Sequence, residues 1–306
     1  MNHSLPHASG TALVLGGGGS AGNAWLIGVI AGLFDAGLDA TTADLIIGTS
    51  AGSTAAAQIT GASPDGLLAD ILNAENLVRP APAGPDRRSA PARQVRPAMN
   101  DLDATNAIIA SAQDAPDMRR KMGAWSLATE ASSDGARQAQ WRATVASRLP
   151  QQKWPSQRML ITAVDADSGE PVVFDNQSGI DLADAVAASC SSGFAYRIGE
   201  HRYIDGGYRT NADNADLATG YARVLVLSPF AGRSRLPEAW GMHLATQVEQ
   251  LRAHGSMVET IFPDAAAGDA FGGNMMNLAA RPPAARAGFE QGKARAVHLA
   301  EFWRTE

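Results

Sequence analysis

The chain has 306 residues, of which 45% are hydrophobic and 18% charged, with a formal net charge of −6. That length and composition describe one large or two modest globular units with a real core, and exclude a disordered chain. The acidic balance argues against a nucleic-acid partner held by overall electrostatics.

The single cysteine, Cys190, excludes an internal disulfide framework and fits a reducing, cytoplasmic setting. Met1 to His7 carries neither a basic segment nor an apolar one, so no secretory signal is expected. The longest apolar run near it, 24–34, contains Gly28 and Gly32 and stops at Asp35. It is too short to span a bilayer and reads as a buried helix, so contact with a membrane is expected to be peripheral. Residues 1–10 are expected to be a flexible N-terminus and 11–306 a single domain; oligomeric state leaves no signature.

In chain order, Thr11-Ala12-Leu13-Val14-Leu15 reads as a short buried strand. It runs into Gly16-Gly17-Gly18-Gly19-Ser20-Ala21-Gly22, and a helix is expected over 23–35, with Gly37 as its stop. A second strand over 44–47 ends at Gly48-Thr49-Ser50-Ala51-Gly52, and a helix-prone stretch follows over 53–59. Strand, helix, strand is a βαβ unit, so the two strands should lie parallel and adjacent, with both glycine turns at their carboxyl ends. Open α/β sheets place their sites there.

A helix is expected near 64–75. Residues 79–97 then hold five prolines and five arginines against one acid, Asp86, and read as a solvated loop, with a mobile basic flap as the functional alternative. A helical segment is expected over 101–149, with Trp125 and Trp141 packing onto the main body. Strands over 158–164 and 171–174 should form a hairpin around Asp165-Ala166-Asp167-Ser168-Gly169. Then come a helix over 181–190, a short strand over 202–204 running into Asp205-Gly206-Gly207, a helix over 212–221 and a parallel-type strand over 224–227. A helix over 237–253, a strand over 258–262 and a terminal helix over 284–303 complete an α/β/α pattern.

Gly48 to Gly52 is a G-x-S-x-G set. Between a strand and a helix it fits a nucleophile elbow, which presents the Ser50 hydroxyl at a helix N-terminus where developing negative charge is favoured. The first turn also matches G-x-G-x-x-G, as Gly17, Gly19 and Gly22, so a dinucleotide site is the rival. That reading wants an acid at the end of the second strand, where the serine turn stands instead. The first turn is better read as an oxyanion hole. Amides of Gly17, Gly18 and Gly19 can converge on one point because no side chain blocks the approach. A serine also needs a base. An elbow after only one preceding strand does not suit the histidine-triad hydrolase fold, and His201, His243, His254 and His298 have no distinctive setting. Asp205, at a strand end before two glycines, is presented on a tight turn. No His/Cys/Glu cluster has ligand spacing, so neither a metal nor another cofactor is expected.

The ordered set of G-G-G-G-S-A-G at 16–22, G-T-S-A-G at 48–52 and D-G-G at 205–207 resembles the patatin-like phospholipase family over nearly the whole chain. The resemblance implies a three-layer α/β/α fold with a mainly parallel central sheet and a Ser-Asp dyad in place of a triad. Carried over by position, Ser50 would be the nucleophile and Asp205 the general base, with Gly17, Gly18 and Gly19 at the oxyanion hole. Gly22, Gly48, Gly52, Gly206 and Gly207 would complete the motifs. Two positions depart from the pattern: Ala21 stands where Arg or Lys is frequent, and Cys190-Ser191-Ser192-Gly193-Phe194 carries no proline. The implied activity is hydrolysis of acyl-lipid or other fatty ester bonds, of phospholipase A, lysophospholipase or carboxylesterase type. Acyl transfer through the same dyad and a non-catalytic binding or regulatory role are the alternatives. Phe194 and Trp25 are expected chiefly as packing residues, with an acyl site as their other role.

Overall fold

The computed structural model describes residues 8–77 and 99–303. The Pro/Arg-rich stretch expected over 79–97 and the first seven residues lie outside them. Among the described residues the strands are β1 (Thr11–Leu15), β2 (Leu45–Gly48), β3 (Arg158–Asp165), β4 (Pro171–Phe174), β5 (Tyr196–Ile198), β6 (His201–Asp205), β7 (Arg223–Leu227) and β8 (Met257–Ile261). The helices are α1 (Gly19–Asp35), α2 (Ala51–Ile59), α3 (Pro64–Leu77), α4 (Met99–Ser111), α5 (Ala115–Leu127), α6 (Glu130–Ser133), α7 (Gly135–Ala146), α8 (Leu182–Ser189), α9 (Leu244–Ala253), α10 (Ala265–Phe271) and α11 (Arg281–Trp303).

One mixed sheet runs in the order β5-β6-β3-β2-β1-β7-β8, with β4 paired to β3. The pairs from β3 through β8 along that path are parallel, while β4, β5 and β6 pair antiparallel. Every residue of β1 is buried, because its two faces meet two cores. Leu13 and Leu15 join Ile46 and Trp25 on one face; Ala12 and Val14 join Leu45, Ile47 and Val248 on the other. Helices on both faces explain why these strands read as continuous apolar runs rather than alternating ones.

Helix α1 lies almost wholly inside, buried from Ala21 to Leu33. Its Gly28 and Gly32 pack against α11 so closely that a Cβ on either would overlap a backbone carbonyl, of Ala285 or Phe289. Gly292 of α11 returns the same contact on Val29. These glycines let α11 pack backbone to backbone along the second half of α1.

Most expected elements stand, and the differences have local causes. The helix over 212–221 shrinks to a 3-10 turn at Ala215–Ala218, because Asn214 takes φ 54° and the Asn211 side chain accepts the N–H groups of Asp213 and Asn214. The helix over 237–253 splits at Gly241, φ 65°, so that α9 begins at Leu244. The segment 101–149 is cut into separate helices by the aspartate caps Asp114 and Asp134. The hairpin of β3 and β4 forms, with Ile161 opposite Phe174. Trp141 donates to the Ala187 carbonyl, and Trp125 packs near Val164 and Ile204, which ties these helices to the sheet. Strand β5 and helix α10 have no counterpart in the sequence reading.

Candidate active site

Strand β2 delivers the chain to Gly48, and α2 starts three residues later at Ala51. Ser50 makes the turn between them at φ 51°, ψ −115°, a positive-φ conformation that residues with a side chain normally avoid. The flanking glycines are there for close approach. A Cβ on Gly48 would come within 2.6 Å of Ser53 Cα, and one on Gly52 would overlap the Leu15 carbonyl oxygen. Strain of this kind costs about 1–3 kcal/mol. Each fully buried aliphatic side chain around it contributes about 2 kcal/mol, so the core holds the turn easily. The Ser50 N–H donates to Ser189 Oγ at 2.9 Å, and its carbonyl accepts Ser53 Oγ at 2.7 Å and Cys190 Sγ at 3.1 Å. The end of α8 thereby locks the elbow from below. Burial pushes the Cys190 thiol up to about 11, so it acts here as a neutral donor.

Strand β6 enters antiparallel to β3 and stops at Asp205, opposite Ala163. There Asp205 Oδ2 accepts the Ser50 hydroxyl at 2.9 Å, across 155 residues of sequence. Its Oδ1 accepts the Gly207 N–H at 2.8 Å, and a Cβ on Gly206 would overlap Thr162 Oγ1. The carboxyl is only 8% exposed. Burial raises its pKa to about 6, while the Gly207 amide and the Ser50 hydroxyl pull the other way. A carboxylate with that affinity accepts a proton better than an exposed one and is still ionised at neutral pH.

The glycine turn adjoins the serine: a Cβ on Gly17 would lie 3.6 Å from Ser50 Cβ. The Gly17 N–H donates to the Ala212 carbonyl at 2.8 Å. Gly18 and Gly19 differ. Among the described residues no acceptor takes either N–H, as expected of the first positions of a helix. Pro229 packs over Gly18 and Gly22 from one side, and Met275 and Met276 approach Gly19 from the other. The Ala21 N–H is held by the Met275 carbonyl at 2.9 Å.

Several groups here escaped the sequence reading. Asn214, fully buried, donates to the Gly206 carbonyl at 3.0 Å and to Thr49 Oγ1 at 2.9 Å, and Thr49 Oγ1 lies 2.9 Å from Thr162 Oγ1. Asp213, 2% exposed, packs on Gly16, and its Oδ1 has no hydrogen-bond partner among the described residues. Burial lifts its pKa to about 7, against a smaller opposing effect of the Ser228 hydroxyl. The signal available was the polar cluster Asn211-Ala212-Asp213-Asn214 just after the Asp-Gly-Gly turn, which reads locally as a helix start. The described histidines stay away: His201 faces Asp165, His243 the Leu236 carbonyl, His254 the Gln250 carbonyl and His298 Glu259. Trp25 is fully buried, with its indole N–H on Gln291, and is a core residue; Phe194 packs edge-on against Trp141.

A family model described as Patatin-like phospholipase matches residues 13–218, more than half of the chain and all three motifs. The chain belongs to the patatin-like phospholipase family. Membership supports lipid-acyl hydrolysis as the general class of activity. Among solved structures, similarity is found to VipD from Legionella pneumophila, at 12% identity and a TM-score of 0.42, covering 96% of this chain and 67% of that one. The type III effector protein ExoU is matched at 14% identity and a TM-score of 0.32, covering 94% of this chain and 54% of that one. No curated protein matches the chain. Among the described residues no helix is long and apolar enough to cross a membrane.

Proposed function

We propose that this chain is a serine lipid acyl hydrolase in which Ser50 is the nucleophile and Asp205 the general base. The observation that carries the reading is the 2.9 Å hydrogen bond from Ser50 Oγ to Asp205 Oδ2, made by a serine on a strained turn. In the first half-reaction Asp205 Oδ2 takes the hydroxyl proton as Oγ attacks the ester carbonyl. The oxyanion is met by the Gly18 and Gly19 N–H groups, and the positive end of α1 adds to them. Collapse expels the alcohol, which leaves with the proton from Asp205, and the acyl group stays on Ser50. In the second half-reaction water gives its proton to Asp205 and attacks the acyl carbonyl. The fatty acid departs as the proton returns to Ser50 Oγ.

Ser50→Ala and Asp205→Asn test this directly on a short-chain nitrophenyl ester. Each should lose activity by at least about 1000-fold while keeping the thermal transition. Near wild-type turnover in either variant sinks the dyad. Labelling of Ser50 by a fluorophosphonate separates catalysis from a binding-only role, and product analysis with added alcohol separates hydrolysis from acyl transfer. Contact with lipid would be peripheral and made by Met276, which approaches Gly19, and by Leu278, 66% and 67% exposed. Vesicle co-sedimentation that is unchanged in Met276→Asp/Leu278→Asp would remove that contact.

A further inference from the structure

A cavity of about 550 Å³ is lined by residues of α1, α2, α3, the 147–150 turn and the start of α11, with neither Ser50 nor Asp205 in its lining. Its walls are apolar at Ile27, Leu67 and Leu149, and Arg148 and Arg281 are among its lining residues. Among the described residues neither guanidinium makes an ion pair, although Asp70 stands on the exposed rim. Arg281 Nη1 donates instead to the Ser20 carbonyl at 3.0 Å and to Asn23 Oδ1 at 3.1 Å. Arg148 lies over the Trp141 ring at 5.9 Å. Burial and the nearby charge of Arg148 both hold the Arg281 guanidinium below the usual arginine value. Arg148 is exposed and Arg281 partly buried; the one carboxylate among the lining residues, Asp70, stands on the rim, so the desolvated Arg281 charge has no ion-pair partner among the described residues.

We propose that this cavity binds a single-chain amphiphile with a compact anionic head, the oxyanion between Arg148 and Arg281 and the chain along Ile27, Leu67 and Leu149. The volume falls in the range of small-molecule sites. Guanidinium groups take carboxylate and phosphate oxygens in a two-pronged fashion, which a lone lysine does not. The site is separate from the nucleophile. Gln58, which lines it, lies eight residues beyond Ser50 on α2, about 12 Å along the helix axis. A hydrogen-bonded path joins the two places. Arg281 holds Asn23, and Asn23 Nδ2 donates to Gln58 Oε1 at 3.0 Å and to the Ala51 carbonyl at 3.4 Å. Occupancy is therefore felt next to the nucleophile and next to Ser20, beside the oxyanion turn.

The test is calorimetric titration of Ser50→Ala, in which no turnover occurs, so that the result does not depend on the dyad. The probes are decanoate, decyl phosphate, inorganic phosphate and decyl maltoside, each kept monomeric. Either anionic amphiphile should bind at least about tenfold more tightly than the neutral maltoside and inorganic phosphate. Decanoate as the better ligand marks a carboxylate head, decyl phosphate a phosphate head. Adding Arg148→Gln or the space-filling Ala62→Trp should each weaken binding by about tenfold or more. These two are chosen over Arg281→Gln because Arg281 also braces Ser20 and Asn23. In the Ser50 parent, Arg148→Gln should leave hydrolysis of a short soluble ester unchanged. The proposal is overturned if neither anionic amphiphile binds by about 1 mM, if maltoside or bare phosphate binds as well, or if binding survives both substitutions.

Discussion

Asn214 donates a 2.9 Å hydrogen bond to Thr49 Oγ1 and so joins the loop after Asp205 to the residue before Ser50. With its second bond to the Gly206 carbonyl, the one amide sets the separation of the two turns that carry Ser50 and Asp205. Asn214→Ala leaves both turns without their common brace. The expected outcome is a fall in kcat of up to about 100-fold on a soluble ester with little change in KM, since the reacting groups drift while the substrate surface stays. A matching rise in KM with kcat intact would show that Asn214 serves substrate binding instead.

As the proposed base, Asp205 must be ionised to work, and burial raises its pKa to about 6. Activity should therefore be flat above neutral pH and fall about tenfold per unit below the pKa. A pH profile of kcat/KM on a non-ionising ester checks this. A limb centred near the ordinary aspartate value of 3.8 would show that Asp205 is not buried in the working enzyme.

Asp213 makes a stability prediction. Its folded pKa of about 7 lies above the ordinary 3.8, so between those values the folded chain holds a proton that the unfolded chain has released. Stability must then decline as pH rises from about 4 to about 7 and stay low above, by an amount bounded at about 4 kcal/mol. Asp205 adds a smaller decline of the same sign. Asp213→Asn cannot ionise, and its thermal transition should drop less between pH 5 and pH 8 than that of the parent. Equal drops would mean that Asp213 is hydrated or paired.

Two glycines of the motifs should respond oppositely to one methyl group. A Cβ at Gly17 meets nothing nearer than 3.6 Å, so Gly17→Ala should fold with a near-parental transition. Gly52→Ala drives its methyl into the Leu15 carbonyl, and overpacking against rigid backbone costs more than the usual 1–3 kcal/mol or so of a core insertion. Loss of soluble folded protein is expected for Gly52→Ala alone. A stable Gly52→Ala would show that β1 and α2 can part at this point.

Much of the site was legible locally because its chemistry is written in short segments. Thr11–Leu15, Gly48 to Gly52 and the Asp205 turn each combine a buried strand with a turn that only glycine permits, and those preferences are set by nearest neighbours. The order of these segments along the chain carried the family and the α/β/α architecture. Local sequence was less informative at residues 211–221, where Asn211 and Asn214 turn their side chains back on the backbone and displace a helix.

What the sequence by itself determined was which residues can be nucleophile, base and oxyanion donors, because those roles follow from residue type and turn geometry. Tertiary structure decided what surrounds each of them. The Ala212 carbonyl accepts the Gly17 N–H, burial raises the Asp205 pKa, and Asn214 ties the two turns together. All three depend on contacts between segments that lie far apart in the chain. Only the packed sheet brings their electrostatics and hydrogen bonds into range.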